Sequence, residues 1–218
     1  EFRRVLFRSR MAGAPQGGLE GMAVLVTGGG SGIGLGCAAR FVRDGAHVTI
    51  CGRSEERLAG ALRTLEPLVA DGGSVRAVAA DVTDEDAVVR AVDFAAEPLG
   101  ALHGVVASAG GSESIGPVTQ LDATAFRNTL DLNVTGTMLV LKHSARLMVR
   151  GGGGSFVGIS SIAASNTHRW FGAYGPAKSG IDMLCMQAAD ELGASGVRVN
   201  AIRPGLVDTE LVGFVTAG

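Results

Sequence analysis

Tyr174 and Lys178 stand four residues apart in Tyr174-Gly175-Pro176-Ala177-Lys178, at the opening of a segment with a helical pattern. On a helix that spacing puts both side chains on one face. There an ammonium can lower the phenol's pKa from its usual value of about 10. A shift of about three units represents roughly 4 kcal/mol of preferential stabilisation of the phenolate, which a lysine and an oxidised nicotinamide could supply together to make the phenol a usable acid and base. Tyr174 is the only tyrosine in the chain, so chemistry that needs a phenol has one candidate. Ser161, thirteen positions earlier, is grouped with this pair. Taken alone, a Tyr/Lys pair at this spacing is usually mere decoration of a helix.

A second constellation is Thr27-Gly28-Gly29-Gly30-Ser31-Gly32-Ile33-Gly34, directly after an apolar run and leading into a helical pattern. Glycines at 28, 32 and 34, with Ser31 and Ile33 between them, let a backbone turn tightly and approach a pyrophosphate, whose charge then meets the free amides of a helix N-terminus. The spacing is GxxxGxG rather than the generic GxGxxG, and a glycine-rich turn without a ligand is the competing reading. At the tip of the next apolar run, Ile50-Cys51-Gly52-Arg53-Ser54 carries no acid. An acid there would bind a ribose 2′-hydroxyl and favour NAD; the basic Arg53 suits the 2′-phosphate of NADP, with NAD still possible. Otherwise Arg53 is a solvated arginine paired with Glu56 or Asp44.

These residues require elements to carry them. Short apolar runs alternate with longer helical patterns from Met22 onward, which predicts repeated βαβ units, hence an α/β, Rossmann-type doubly wound parallel sheet in three layers. The expected strands are Ala23–Thr27, His47–Cys51, Val75–Ala80, Gly104–Ala107, Ser155–Ile159 and Val197–Ile202. Most are continuously apolar, so helices should cover both faces of the sheet. The helices are expected near Ile33–Asp44, Glu55–Val69, Asp84–Phe94, Ala123–Val149 and Phe171–Leu192, the second capped by Ser54 and led by Glu55 and Glu56.

The length of 218 residues suits one α/β domain, expected over residues 21–218, preceded by a non-native scar and a flexible glycine-rich lead-in over residues 1–20. With 19 Lys plus Arg against 21 Asp plus Glu there is no electrostatic footprint for nucleic acid or an anionic membrane. Cys37, Cys51 and Cys185 are odd in number and set in apolar stretches, which fits reduced thiols in a cytoplasmic protein and no metal cage. Mean hydropathy is positive, yet no apolar run reaches the roughly 18 residues needed to span a bilayer. A small-molecule ligand or substrate is the partner this composition leaves.

The full set of motifs resembles the short-chain dehydrogenase/reductase family from Met22 to the end. It comprises Thr27-Gly28 with Gly32 and Gly34, Asp81-Val82, Asn133-Val134 with Gly136, Ser161, Tyr174 with Lys178, and Pro204-Gly205 with Val207 and Thr209. The resemblance implies hydride transfer between a nicotinamide cofactor and a carbonyl or secondary alcohol, with Tyr174 as acid/base and Ser161 on the substrate oxygen. It implies that Lys178 binds the nicotinamide ribose and biases Tyr174, and that Asn133 holds a water linking Lys178 to solvent. Asp81 and Val82 would then meet adenine, and Pro204, Gly205, Val207 and Thr209 would cover the nicotinamide. It further implies a homodimer or homotetramer built on the long helices, and a seven-stranded sheet of which this chain supplies six, lacking the last helix and strand. Where the family usually has Asn-Asn-Ala-Gly, this chain has Ala107-Ser108-Ala109-Gly110, so Gly110 is kept as a cofactor contact without the strand-capping amides. His168 reads as a loop histidine, Trp170 as pocket lining or loop packing, and Met183 to Met186 as core or subunit contact. A non-catalytic dinucleotide-binding scaffold on the same fold, or an inactive fragment of an enzyme, is the alternative function.

Overall fold

The computed structural model describes residues 18–207. Thr209 lies outside the described residues. Six strands, β1 (Ala23–Thr27), β2 (His47–Gly52), β3 (Ser74–Ala79), β4 (Gly104–Ala107), β5 (Gly154–Ile159) and β6 (Val197–Ile202), form one sheet in the order β3-β2-β1-β4-β5-β6. Every pairing is parallel, with Val26 opposite Ile50 on one side and Val106 on the other. The chain therefore winds outward from β1 in one direction, then returns to β4 and winds outward in the other. That reversal leaves a crevice at the carboxyl ends of β1 and β4.

Helices α1 (Gly32–Arg43) and α2 (Glu55–Leu65) cover one face, where Val24, Val26, Val48 and Ile50 pack against Ala38, Val42, Leu58 and Leu65. Helices α3 (Glu85–Ala96), α5 (Gly136–Arg150) and α6 (Tyr174–Leu192) cover the other, meeting Leu25, Val105, Phe156 and Val199. The alternation of strand side chains sorts them between these two cores. Ser54 and Asp84 cap α2 and α3, accepting from the Arg57 and Ala87 amides.

The structure corrects the sequence expectations in four places. The flexible lead-in was expected to reach Glu20, but Leu19 packs against the α1 side of the core and its amide donates to the Asp44 carbonyl at 2.6 Å. The single long helix expected over Ala123–Val149 is α4 (Ala123–Leu130), one π-helical turn (Asp131–Thr135) and α5, and Asn133 sits within that turn. Helix α6 begins at Tyr174 rather than Phe171, because Trp170 and Gly172 take φ of 68° and 49° and so break the helical path. Finally, β6 is not covered on both faces: Val197 and Val199 are buried while Arg198, Asn200 and Ile202 are exposed.

Candidate active site

The crevice is built first by backbone. Gly28 has φ of 66°, and a Cβ there would come within 2.7 Å of the Ala109 nitrogen, so the loops after β1 and β4 approach closer than any side chain permits. Thr27 locks the two loops: its carbonyl accepts from the Ser108 amide at 3.2 Å and its hydroxyl from the Ala109 amide at 3.3 Å. This buried threonine supplies the bracing that Ser108 and Ala109 cannot supply with side-chain amides. Two adjoining hollows, of about 400 and 530 Å³, open on either side of Gly28, Ser31 and Gly110. Gly32 and Ile33 line the first. Gly34 does not; it is buried in α1 with its Cα against the Gly28 backbone, and its part is to let the loop close on the helix.

The first hollow holds Ser161, Tyr174 and Lys178 together. Ser161 follows β5, and its Oγ accepts from the Ala163 amide at 3.1 Å. Lys178, 5% exposed, donates from Nζ to the Ile159 carbonyl at 2.9 Å, and Nζ stands 5.4 Å from the Tyr174 ring centre. Its own carbonyl accepts from Ser160 Oγ at 3.1 Å, so β5 grips the helix at two points. Burial pulls the Lys178 ammonium down to about 8, with the Asp182 carboxylate opposing that pull. Burial also pushes the Tyr174 phenol above its ordinary value, against the Ser161 hydrogen bond. Within the protein alone the phenol is thus raised, and the lowering expected from Lys178 together with an oxidised nicotinamide belongs to the cofactor-bound site. Desolvation dominates, and the ammonium is engaged with a carbonyl.

Asn133 lies beneath this hollow, fully buried. Its Nδ2 donates to the Gly111 and Thr129 carbonyls at 2.7 and 2.8 Å, and its Oδ1 accepts from the Gly111 amide at 3.4 Å. The side chain is therefore a brace for the loop after β4. A Cβ on Gly110 would fall 2.7 Å from Asn133 Oδ1 and 3.2 Å from Lys178 Nζ, so Gly110 is where the three meet. Pro204, Gly205 and Val207 close the hollow from the end of β6, and the Pro204 carbonyl accepts from the Ile162 amide at 3.0 Å, one residue past Ser161.

The second hollow gathers Arg53, Asp81 and Val82 at the tips of β2 and β3. Arg53 faces Asp81 at 3.9 Å, not Glu56 or Asp44; Asp44 is held by Arg40 at 2.8 Å. Burial disfavours the Asp81 carboxylate, but two hydrogen bonds from Thr83 and the charge of Arg53 hold it below the usual range. Arg57, missed in the sequence, lines both hollows from the first turn of α2. Its signal was present: it stands one helical turn beyond Arg53. Asp182, one turn beyond Lys178, was missed in the same way. His168 and Trp170 are exposed and line neither hollow; of the Met183 to Met186 stretch, Cys185 is core while Met183 and Met186 are exposed.

A glycine-lined crevice at a sheet reversal, with a phenol and an ammonium on its rim, defines a doubly wound dinucleotide-binding protein equipped for proton transfer. Residues 22–217 match the family model described as short chain dehydrogenase. The chain is 38% identical to cis-4-hydroxycyclohexanecarboxylate dehydrogenase of Sinomonas cyclohexanicum, over 88% of this chain and 76% of that protein. Among solved structures it is similar to a short-chain type dehydrogenase/reductase from Mycobacterium ulcerans, with 62% identity and a TM-score of 0.90 over 92% of this chain and 73% of that one. It is also similar to an NAD+-bound xylitol dehydrogenase, with 33% identity and a TM-score of 0.82 over 86% and 71% of the two chains. The chain belongs to the short-chain dehydrogenase/reductase family, and as such is an oxidoreductase acting on alcohol or carbonyl groups. Among the described residues, no helix is long and apolar enough to cross a membrane.

Proposed function

We propose that the chain uses NADP(H) to interconvert a cyclic secondary alcohol and its ketone, with Tyr174 as the general acid and base. The observation that carries this reading is the convergence of Ser161, Tyr174 and Lys178 on the hollow that the glycine loop opens. When bound, the nicotinamide supplies or accepts the hydride. Gly28, Ser31, Gly32 and Ile33 would hold the pyrophosphate at the α1 N-terminus, and Gly34 lets that loop close. Val82 and Asp81 would flank the adenine, with Pro204, Gly205, Val207 and Thr209 over the nicotinamide end. Ser161 donates to the substrate oxygen, and Tyr174 gives that oxygen a proton in reduction or removes it in oxidation. Lys178 holds the ribose and keeps positive charge beside the phenol, while Asn133 fixes the Gly110–Gly111 loop against both.

Arg53 supports NADP, and Arg57 on the same hollow adds a second positive charge for a 2′-phosphate. The cyclic substrate is supported by the cyclohexane ring named in the Sinomonas relative. The setting beside Tyr174 agrees with it: the Phe171 ring lies 6.1 Å from the Tyr174 ring, and Gly116 pairs with Phe171, bringing exposed Ile115 alongside. A homodimer or homotetramer and a cytoplasmic location complete the proposal. The free thiols of the three cysteines fit that compartment.

The test has two arms. Thermal unfolding with saturating NADPH or NADH should show the larger rise with NADPH, since a ligand bound only by the folded state stabilises it. A larger rise with NADH, the cofactor type of the xylitol dehydrogenase relative, would overturn the NADP assignment. Tyr174→Phe should keep the NADPH shift and lose turnover of cyclohexanone by at least about a hundredfold; unchanged turnover would sink the assignment of Tyr174.

A further inference from the structure

Asp182 is a carboxylate set almost wholly inside the protein, 7% exposed, one turn along α6 from Lys178 and on the same face. Its Oδ2 accepts from Arg203 Nε at 2.7 Å. Its Oδ1 is buried and has no hydrogen-bond partner among the described residues. A buried ion pair of this kind adds little to stability compared with packed apolar side chains, and an orphaned carboxylate oxygen subtracts from it. Packing therefore does not account for an acid here, and its charge must act on something nearby.

Two neighbours give that charge a purpose. Arg203 is joined through the chain to Pro204, whose carbonyl is bonded to the Ile162 amide and which lines the hollow with Gly205 and Val207. Lys178 lies on the other side, its ammonium buried and engaged by the Ile159 carbonyl. We propose that Asp182 is a positioning residue that links the Lys178 ammonium to the Arg203–Val207 segment, so that the charge beside Tyr174 and the closure over the cofactor depend on one carboxylate. This rests on the reading above that Lys178 and Pro204 to Val207 serve the cofactor.

The electrostatics agree. Burial pulls Lys178 down to about 8, and Asp182 is the charge that resists it. The same carboxylate acts on its other helical neighbour, the Cys185 thiol, which burial pushes up to about 11, the Gly158 backbone hydrogen bond opposing and Asp182 adding a smaller rise. Around Lys178, α6 itself brings Tyr174 and Asp182, the end of β6 brings Arg203 onto Asp182, and β5 and the π-helical turn bring the uncharged Ile159 carbonyl and Asn133 amide. Removing the Asp182 charge must make Lys178 release its proton at lower pH. Removing Arg203 must do the reverse, because Asp182 is then no longer shared.

The experiment follows the side-chain carbon resonances of Lys178 against pH by NMR in the whole chain, with NADPH affinity measured on the same samples by its fluorescence. In Asp182→Asn the Lys178 midpoint should move acidward by about one unit and NADPH should bind about tenfold more weakly. In Arg203→Gln the midpoint should move alkaline-ward with a similar loss of affinity, and Arg203→Lys should restore both. If Asp182→Asn does not fold, Arg203→Gln, whose side chain is 46% exposed, carries the test alone. A Lys178 midpoint that stays in place in the folded variants overturns the proposal, as does unchanged NADPH affinity. Failure of the wild type to bind NADPH or NADH would instead overturn the cofactor reading beneath it.

Discussion

Gly110 shows how little room the active site leaves. The missing side chain at this position is what lets Asn133 and Lys178 stand on either side of one Cα, at 2.7 and 3.2 Å from where a Cβ would be. Neither neighbour can retreat: Asn133 has three protein partners and Lys178 is fixed to the Ile159 carbonyl. Gly110→Ala should therefore fold and yet lose at least about tenfold in NADPH affinity, seen as a smaller thermal shift at fixed ligand; an undiminished shift would mean the loop has slack. Lys178 makes a second prediction at this scale. Its folded-state value of about 8 lies below its ordinary 10.5. The folded protein thus resists the protonated lysine, and its stability contribution is complete only above the unfolded value and is lost as pH falls through the folded one. Replacing the ammonium with an uncharged chain in Lys178→Met should raise unfolding free energy relative to wild type most at pH 7. The difference should shrink by about 2 kcal/mol between pH 7 and pH 10, and urea unfolding at the two pH values measures it. A pH-independent difference would mean that the ammonium is not held at a cost.

The elements make these contacts possible, and they were legible to unequal degrees. Strands β1 to β6 lie within about one residue of their apolar runs, and for the inner strands this is because a parallel strand covered on both faces leaves a continuous signature. The glycine loop and the Tyr174/Lys178 pair were legible because their spacings are local. The π-helical turn at Asp131–Thr135 was not: it adds one residue to a helical turn without altering the composition around it. The Asp182–Arg203 pair spans two elements and 21 positions, so no local spacing announces it. Nor does the sequence say that Thr27 would brace the Ser108–Ala109 loop, which requires β1 and β4 to be neighbours. The turn also supports an element-scale prediction. It holds Asn133 fully buried with its amide on Gly111 and Thr129, so Asn133→Ala removes three hydrogen bonds and strands two carbonyls and the Gly111 amide. That should destabilise the protein by about 2–4 kcal/mol and speed amide hydrogen exchange in residues 111–114. Faster exchange at Asp84 to Ala87 is not expected, since the α3 cap is independent of this loop. If exchange rises evenly over the whole chain instead, Asn133 serves the fold at large and not the loop.

At the scale of the whole molecule, a further hollow is remote from the chemistry. About 580 Å³ in volume, it lies along the outer faces of α5 and α6, with Leu141, Ala145, Val149, Leu184 and Leu192 among its walls and Arg146 and Arg150 at its margin. Apolar side chains in a shallow groove between two long helices suit contact with another subunit better than capture of a polar cofactor. A second copy could place the same pair of helices against this pair, since a two-fold interface uses one patch twice. The catalytic residues Tyr174 and Lys178 open the very helix that carries Leu184 and Leu192, so assembly would also steady α6. Leu184 is half-buried, and Leu184→Arg adds a positive charge to a groove already lined by Lys142, Arg146 and Arg150, which two apposed copies would have to bury together. Sedimentation velocity should find the wild type as a dimer or tetramer and Leu184→Arg as a monomer, with turnover reduced and the NADPH thermal shift retained at lower baseline stability. A wild type that sediments as a monomer over the micromolar range would remove the subunit contact from the account and leave α6 held within the subunit by the sheet, the neighbouring helices and Arg203.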